Sequence, residues 1–151
     1  MKKNYFRFGT IIVVLAVLLI WITPVMAAEK TEYTCDIPVV SIINPGSMTT
    51  PDGNVHIRGM VGESPMEGSD PRIVGFGTIV LNLNLRKDGT GPQWGTFHMD
   101  VGEDGWEGTW AGLVGEWYNG VGKGFGEFSG MKMWMHVNFI NGTCSGTILE
   151  H

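Results

Sequence analysis

The chain has 151 residues, with 10 Lys+Arg against 15 Asp+Glu and a formal net charge of −5. That acidic balance excludes binders of nucleic acid or anionic membranes that work through a basic patch. The length allows one domain and too little for two comfortable ones.

Residues 1–27 are predicted to be a signal peptide. Lys2, Lys3 and Arg7 precede an apolar run over residues 10–22, and Val25-Met26-Ala27 resembles a small-residue cleavage site. The apolar core is short for a membrane span and Pro24 breaks it, so no stable membrane anchor is expected after cleavage. Three of the ten basic residues would leave with this segment, so seven would face fifteen acidic ones, a net charge of −8. A secreted or periplasmic location follows. In such a compartment Cys35 and Cys144, the only cysteines, are expected to form a disulfide.

Residues 28–35 read as a polar lead-in to a domain over residues 36–151. Residues 37–43 are mostly β-branched and form a candidate strand, which Pro38 pushes toward a sheet edge. Residues 54–61 alternate, with Val55, Ile57, Gly59 and Val61 on one face and His56, Arg58 and Met60 on the other. A loop over 62–72 leads to a long strand over 73–86, with Ile79, Leu81, Leu83 and Leu85 on one side. Residues 94–101 set Phe97, Met99 and Val101 against Thr96, His98 and Asp100. After the turn at Gly102-Glu103-Asp104-Gly105, residues 106–114 carry Trp106, Trp110 and Val114 in one phase. Residues 116–125 are glycine-rich and read as a short strand pair or a loop. Residues 125–140 form the longest late run, broken near Gly130, and Asn141-Gly142 signals a hairpin into the last strand over 143–149.

A tripeptide of glycine, then Thr or Glu, then a large apolar residue recurs five times. Its copies are Gly77-Thr78-Ile79, Gly95-Thr96-Phe97, Gly108-Thr109-Trp110, Gly126-Glu127-Phe128 and Gly146-Thr147-Ile148. Each is read as part of a strand. No part of residues 28–151 shows helical periodicity, so the expected fold class is all-β. About eight antiparallel strands are expected to close into a barrel, with only the signal peptide helical. Glycine at this density suits the strong coiling of a small barrel, and closure would remove exposed sheet edges.

Trp94-Gly95-Thr96-Phe97, Trp106-Glu107-Gly108-Thr109-Trp110-Ala111-Gly112, and the glycine series Gly122, Gly124, Gly126 leading into Glu127-Phe128 and Gly130-Met131-Lys132 resemble a group of uncharacterised secreted bacterial proteins. More distantly they are similar to the allene oxide cyclase and dirigent barrels of calycin-like architecture, over roughly residues 54–149. The resemblance implies a barrel with an apolar interior that holds a hydrophobic small molecule. It carries no catalytic residue onto this chain.

Several constellations bear on chemistry. Trp94, Phe97, Trp110, Met131, Met133 and Met135 are the candidate ligand-binding residues, because aromatic and thioether side chains make adaptable apolar pockets. Tryptophans on a rigid β surface are also suited to stacking on sugar rings, or they simply build the core. The alternating Met131, Met133 and Met135 form a soft donor set of the kind that takes Cu(I). His56, His98 and His136 fall on three strands and would make a metal site only if they converged. No spacing supports that, and no cofactor is expected. Glu127 is the candidate proton-transfer residue for a cyclase or isomerase, which needs one carboxylate inside the barrel. The three readings are a secreted protein binding a small apolar or amphipathic ligand, an isomerase in the same barrel, and a filled structural module. An apolar cavity of about 300 Å3 or more favours binding.

Overall fold

Ten strands build one antiparallel sheet in the computed structural model, which describes residues 28–150. The predicted signal peptide lies outside the described residues. The strands are β1 (Glu29–Cys35), β2 (Ser41–Asn44), β3 (Ser47–Thr49), β4 (Val55–Met66), β5 (Gly75–Leu85), β6 (Pro92–Val101), β7 (Asp104–Leu113), β8 (Trp117–Phe125), β9 (Lys132–Asn138) and β10 (Thr143–Glu150). From β4 to β10 each strand pairs with the next in sequence. β1 adds outside β10, while β2 and β3 share the outer edge of β4. The all-β expectation holds, and the helical segments among the described residues are three single turns of 3-10 helix.

The expected closed barrel is not what forms. β1 runs along β10 through seven residue pairs, but it meets the far end of the sheet at one point, an isolated bridge between Cys35 and Gly68. Asp36 N–H donates to Glu67 O at 2.9 Å and Ser69 N–H to Thr34 O at 2.9 Å. Beyond that corner Pro38 has no N–H to offer a ladder. The outer edge of β4 is then taken by the short strands β2 and β3, each through three registered pairs. The sheet therefore curls until its two edges touch at a corner and stays open along the rest.

Several sequence readings change locally. The expected loop over 62–72 is strand as far as Met66, and the candidate strand over 37–43 is strand only from Ser41. The polar lead-in is strand β1. Its inward residue Tyr33 is buried, with Lys30 and Glu32 outward, as an edge strand tolerates. The glycine-rich stretch after residue 116 is the single strand β8. Gly126-Glu127-Phe128 is not strand but a 3-10 turn, with Gly126 at φ +65° and the Glu127 N–H donating to Asp104 Oδ1 at 2.7 Å.

β4 departs from simple alternation. Ile57 pairs with Leu83 but Met60 pairs with Leu81, so one extra residue bulges out at Arg58 and Gly59, where Gly59 has φ +66°. From there inward positions fall on Met60, Gly62, Ser64 and Met66. Met60 thus changes side relative to the alternation expected from the sequence, and Val61 faces out.

The recurring glycines are explained by the ladder. Reading straight across the inner face from β1 to β4, one row runs Tyr33, Gly146, Met135, Gly120, Trp110, Gly95, Leu81, Met60. Large residues and glycines alternate along its first seven positions. Directly opposed side chains on neighbouring strands lie only about 5 Å apart, so a strongly curled sheet cannot seat a bulky residue at each one. A Cβ on Gly146 would collide with the ring of Tyr33. The next rows set Gly108 opposite Phe97, Gly77 opposite Met99 and Gly112 opposite Tyr118.

Cys35 and Cys144 face one another in the β1–β10 ladder and form the expected disulfide, with Cα atoms 4.9 Å apart. It is consistent with a non-reducing compartment. No helix of the described residues is long and apolar enough to cross a membrane.

Candidate functional site

The inner face is solid at one end and hollow at the other. At the solid end Trp106 is fully buried, and its indole N–H donates to Arg72 O at 2.7 Å. Phe128 packs against it with ring centroids 5.3 Å apart, and Ile73 closes the layer. The loop carrying Arg72 is fastened by the Asp70 carboxylate, which accepts from Arg72 Nη2 at 2.6 Å and from Arg72 N at 2.9 Å. The side-chain bond from Arg72 holds the Asp70 carboxyl below its ordinary range. Arg72 also reaches Glu150 at the end of β10.

At the other end the same face encloses a cavity of about 240 Å3. Its firm wall comes from β5 to β9: Ile79, Leu81, Phe97, Trp110, Met133 and Met135. β4 adds Met60 and Met66. The opposite wall is thin and consists of Pro38, Val40 and Ile42 from the segment leading into and along β2. Among its lining residues Ile42 is 59% exposed, Val40 40% and Phe139 38%, so the cavity is open to solvent. The glycines of the inner rows create this space, since each leaves a gap beside a large neighbour. The volume falls below the expected 300 Å3.

Polar groups are few. Gln93 lies at the rim and donates to Leu113 O at 3.1 Å. Tyr118 packs against Trp110 at 5.3 Å and Phe139 at 5.8 Å. Burial pushes its phenol well above the ordinary tyrosine value, so it stays protonated. Ser64 is buried and donates to Pro65 O. His98 borders the cavity, but its ring faces away, pairing with Asp100 at 3.1 Å and stacking on Phe125. No Asp, Glu, Lys or Arg lines the space.

Four of the six candidate ligand residues, Phe97, Trp110, Met133 and Met135, meet in the cavity. Trp94 sits on the outer face, because it shares the phase of Thr96 and not that of Phe97. Met131 precedes β9 and packs against the edge of the core. Met133 and Met135 are buried, whereas Trp134 and His136 are on the opposite face and stack with centroids 6.1 Å apart. The sheet therefore separates the thioethers from that imidazole. Glu127 is exposed in its 3-10 turn and does not line the cavity.

The three histidines all face outward. His98 lies level with Thr78 and Glu63, while His56 is level with Asn84. His136 is five strands away from His56 in the sheet order and engages Asn119 Oδ1 at 2.7 Å. Among the described residues no group of three or more His, Cys, Asp or Glu side chains is placed to hold a metal ion.

Sequence reasoning missed Met60, Tyr118, Phe139 and the 38–42 wall. Met60 was hidden by the bulge. Val40 and Ile42 carried a signal, since an apolar run at a sheet edge needs a reason to be there.

No family model, curated protein or solved structure matches this chain.

Proposed function

We propose that the protein is a non-enzymatic binding protein whose curled sheet holds one small apolar molecule in the inner cavity. The observation that carries this reading is the composition of the walls: thioether, aromatic and aliphatic side chains around about 240 Å3, with no carboxylate or ammonium among them. Such a pocket favours a ligand through desolvation and dispersion. The volume limits it to a short acyl chain or a compact ring system. The Tyr118 hydroxyl and the Gln93 amide supply the few polar positions that could orient a hydroxyl or carbonyl group. An isomerase on this site would need a proton-transfer residue within reach of the substrate, and the sequence candidate Glu127 sits elsewhere.

The test is saturable binding of a fluorescent apolar probe such as N-phenyl-1-naphthylamine, displaced by medium-chain fatty acids or monoterpenes. Gly77→Leu is the blocking variant. A Cβ at Gly77 meets its nearest neighbours at 3.5 and 3.9 Å, ordinary contact distances, so the added side chain enters the cavity without a backbone clash. Binding by the wild type and its loss in folded Gly77→Leu is the expected result. Failure to bind the probe saturably, or undiminished binding by Gly77→Leu, would defeat the reading.

A further inference from the structure

The outer face of the same sheet carries a second concavity, a groove of about 490 Å3 centred on β7. Its floor is low because β7 contributes only Thr109 and Ala111 to it from its outward side, both exposed. Its sides rise because the flanking strands present larger groups. Trp94 and Val80 stand on one side, Asn119 and Val121 on the other. The ladder fixes this arrangement. One outward row runs Asn82, Trp94, Ala111, Asn119, His136 from β5 to β9, and the next runs Val80, Thr96, Thr109, Val121, Trp134.

Trp94 is held in place. The Arg58 guanidinium lies 5.1 Å from its ring centroid. Arg58 is itself fixed by bonds to Leu83 O at 2.8 Å and Asn84 Oδ1 at 2.6 Å. An indole pinned on one side by a cation is a flat, preordered wall for whatever enters the groove. Across from it, Asn119 has its Oδ1 engaged by His136, which leaves its amide nitrogen as a donor. Thr96 and Thr109 are a directly opposed pair and place two hydroxyls on the floor.

No charged side chain lines the groove, in a chain with 15 acidic residues. The row beyond Thr109 does carry charge, in the pair Lys123–Glu107 at 3.0 Å with Lys132 beside it, but none of these lines the groove. The fitting ligand is therefore uncharged, has one apolar face and carries hydroxyl groups at its edge. A hexopyranose has that form: its axial C–H face stacks on an indole, and its equatorial hydroxyls meet amide and hydroxyl groups.

We propose that this groove binds a neutral oligosaccharide, with Trp94 as the stacking platform and Asn119, Thr96 and Thr109 as the hydroxyl partners. The site lies on the opposite face of the sheet from the inner cavity.

The experiment is calorimetric and tryptophan-fluorescence titration of the protein with cellohexaose and with chitohexaose, with pull-down on insoluble cellulose and chitin as a second arm. Saturable binding of one of these neutral glycans in the micromolar to millimolar range is expected, and Trp94→Ala should weaken it about tenfold or more. Ala111→Trp should abolish it, since the new ring fills an exposed trough and leaves the core untouched. Retention on the solid polymer without soluble binding would point to a surface longer than six sugars, and it supports the proposal only if Ala111→Trp removes it. Three results would overturn the proposal: no saturable binding up to ~5 mM in either arm, binding that Ala111→Trp leaves intact, or sugar binding that medium-chain fatty acids displace. The last result would place the sugar in the inner cavity.

Discussion

Trp106 and Trp110 stand four residues apart on one strand and face the same way, yet one is part of a filled core and the other lines a space. Trp106 has a cover supplied from outside its own strand. The Arg72 carbonyl takes its N–H, and Ile73 and Phe128 close over the ring. Trp110 donates at 3.3 Å to Thr96 O, within the sheet, and has glycines at Gly95 and Gly120 on both sides of it in the ladder. What crosses over it is the thin segment through Val40 and Ile42, which covers without filling. The difference teaches that a hollow in this fold arises where a glycine-flanked row is covered only by a thin edge segment.

The two ends should respond differently to truncation. Trp106→Ala removes a fully buried ring and orphans the Arg72 carbonyl, so a loss of about 4–5 kcal/mol is expected in denaturant unfolding. Trp110→Ala borders space that is already empty and should cost about 2–3 kcal/mol. It should also change the affinity for an apolar probe, which Trp106→Ala need not do in the fraction that stays folded. Equal losses at the two sites would break the distinction.

Acid should act first on the filled end. The Asp70 carboxyl is held low by Arg72, so its contribution to folding is complete well above the ordinary aspartate value of about 3.9 and fades as pH falls through its own lower value. The unfolding free energy of the wild type should therefore drop more steeply below about pH 5 than that of Asp70→Asn. At pH 7 the variant should be less stable by about 1–2 kcal/mol. Parallel pH curves for the two proteins would remove Asp70 from the account. The smallest effect belongs to the thin wall. Ile42→Ser should alter stability by no more than about 0.5 kcal/mol, because the side chain is mostly exposed, while weakening probe binding measurably.

Much of this was legible in the sequence. Alternation located β5 to β7 and the first part of β4, and it gave the inner face of β5, because one side of the sheet is buried and side chains change face with period two. The same alternation separates Trp94 from Phe97, so the outer position of Trp94 was already implied by its spacing. The disulfide followed from compartment and count. β1 was not seen because its sequence is largely polar, although Thr31, Tyr33 and Cys35 share one phase. The open edge was not legible either. Closure depends on whether the segment after Cys35 finds β4 along its length, and Pro38 with the two short strands decides that against it. The bulge at Gly59 and the 3-10 turn at Gly126 depend on left-handed glycine conformations, which a sequence permits without demanding.

The bulge on β4 makes the choice of side a question of parity. Upstream of Arg58 odd-numbered residues face the interior, and downstream of Gly59 even-numbered ones do. Deleting Arg58 or Gly59 would remove the extra residue and leave both halves of the strand on their present faces, with Ile57 and Met60 still opposite Leu83 and Leu81. Deleting a residue beyond the bulge has another outcome. With the upstream half in register, loss of Val61 would turn Ser64 and Met66 to solvent and drive Glu63 into an apolar cavity with no partner for its charge. The bulge is thus where this strand can lose one residue in length without the replacement of a whole face.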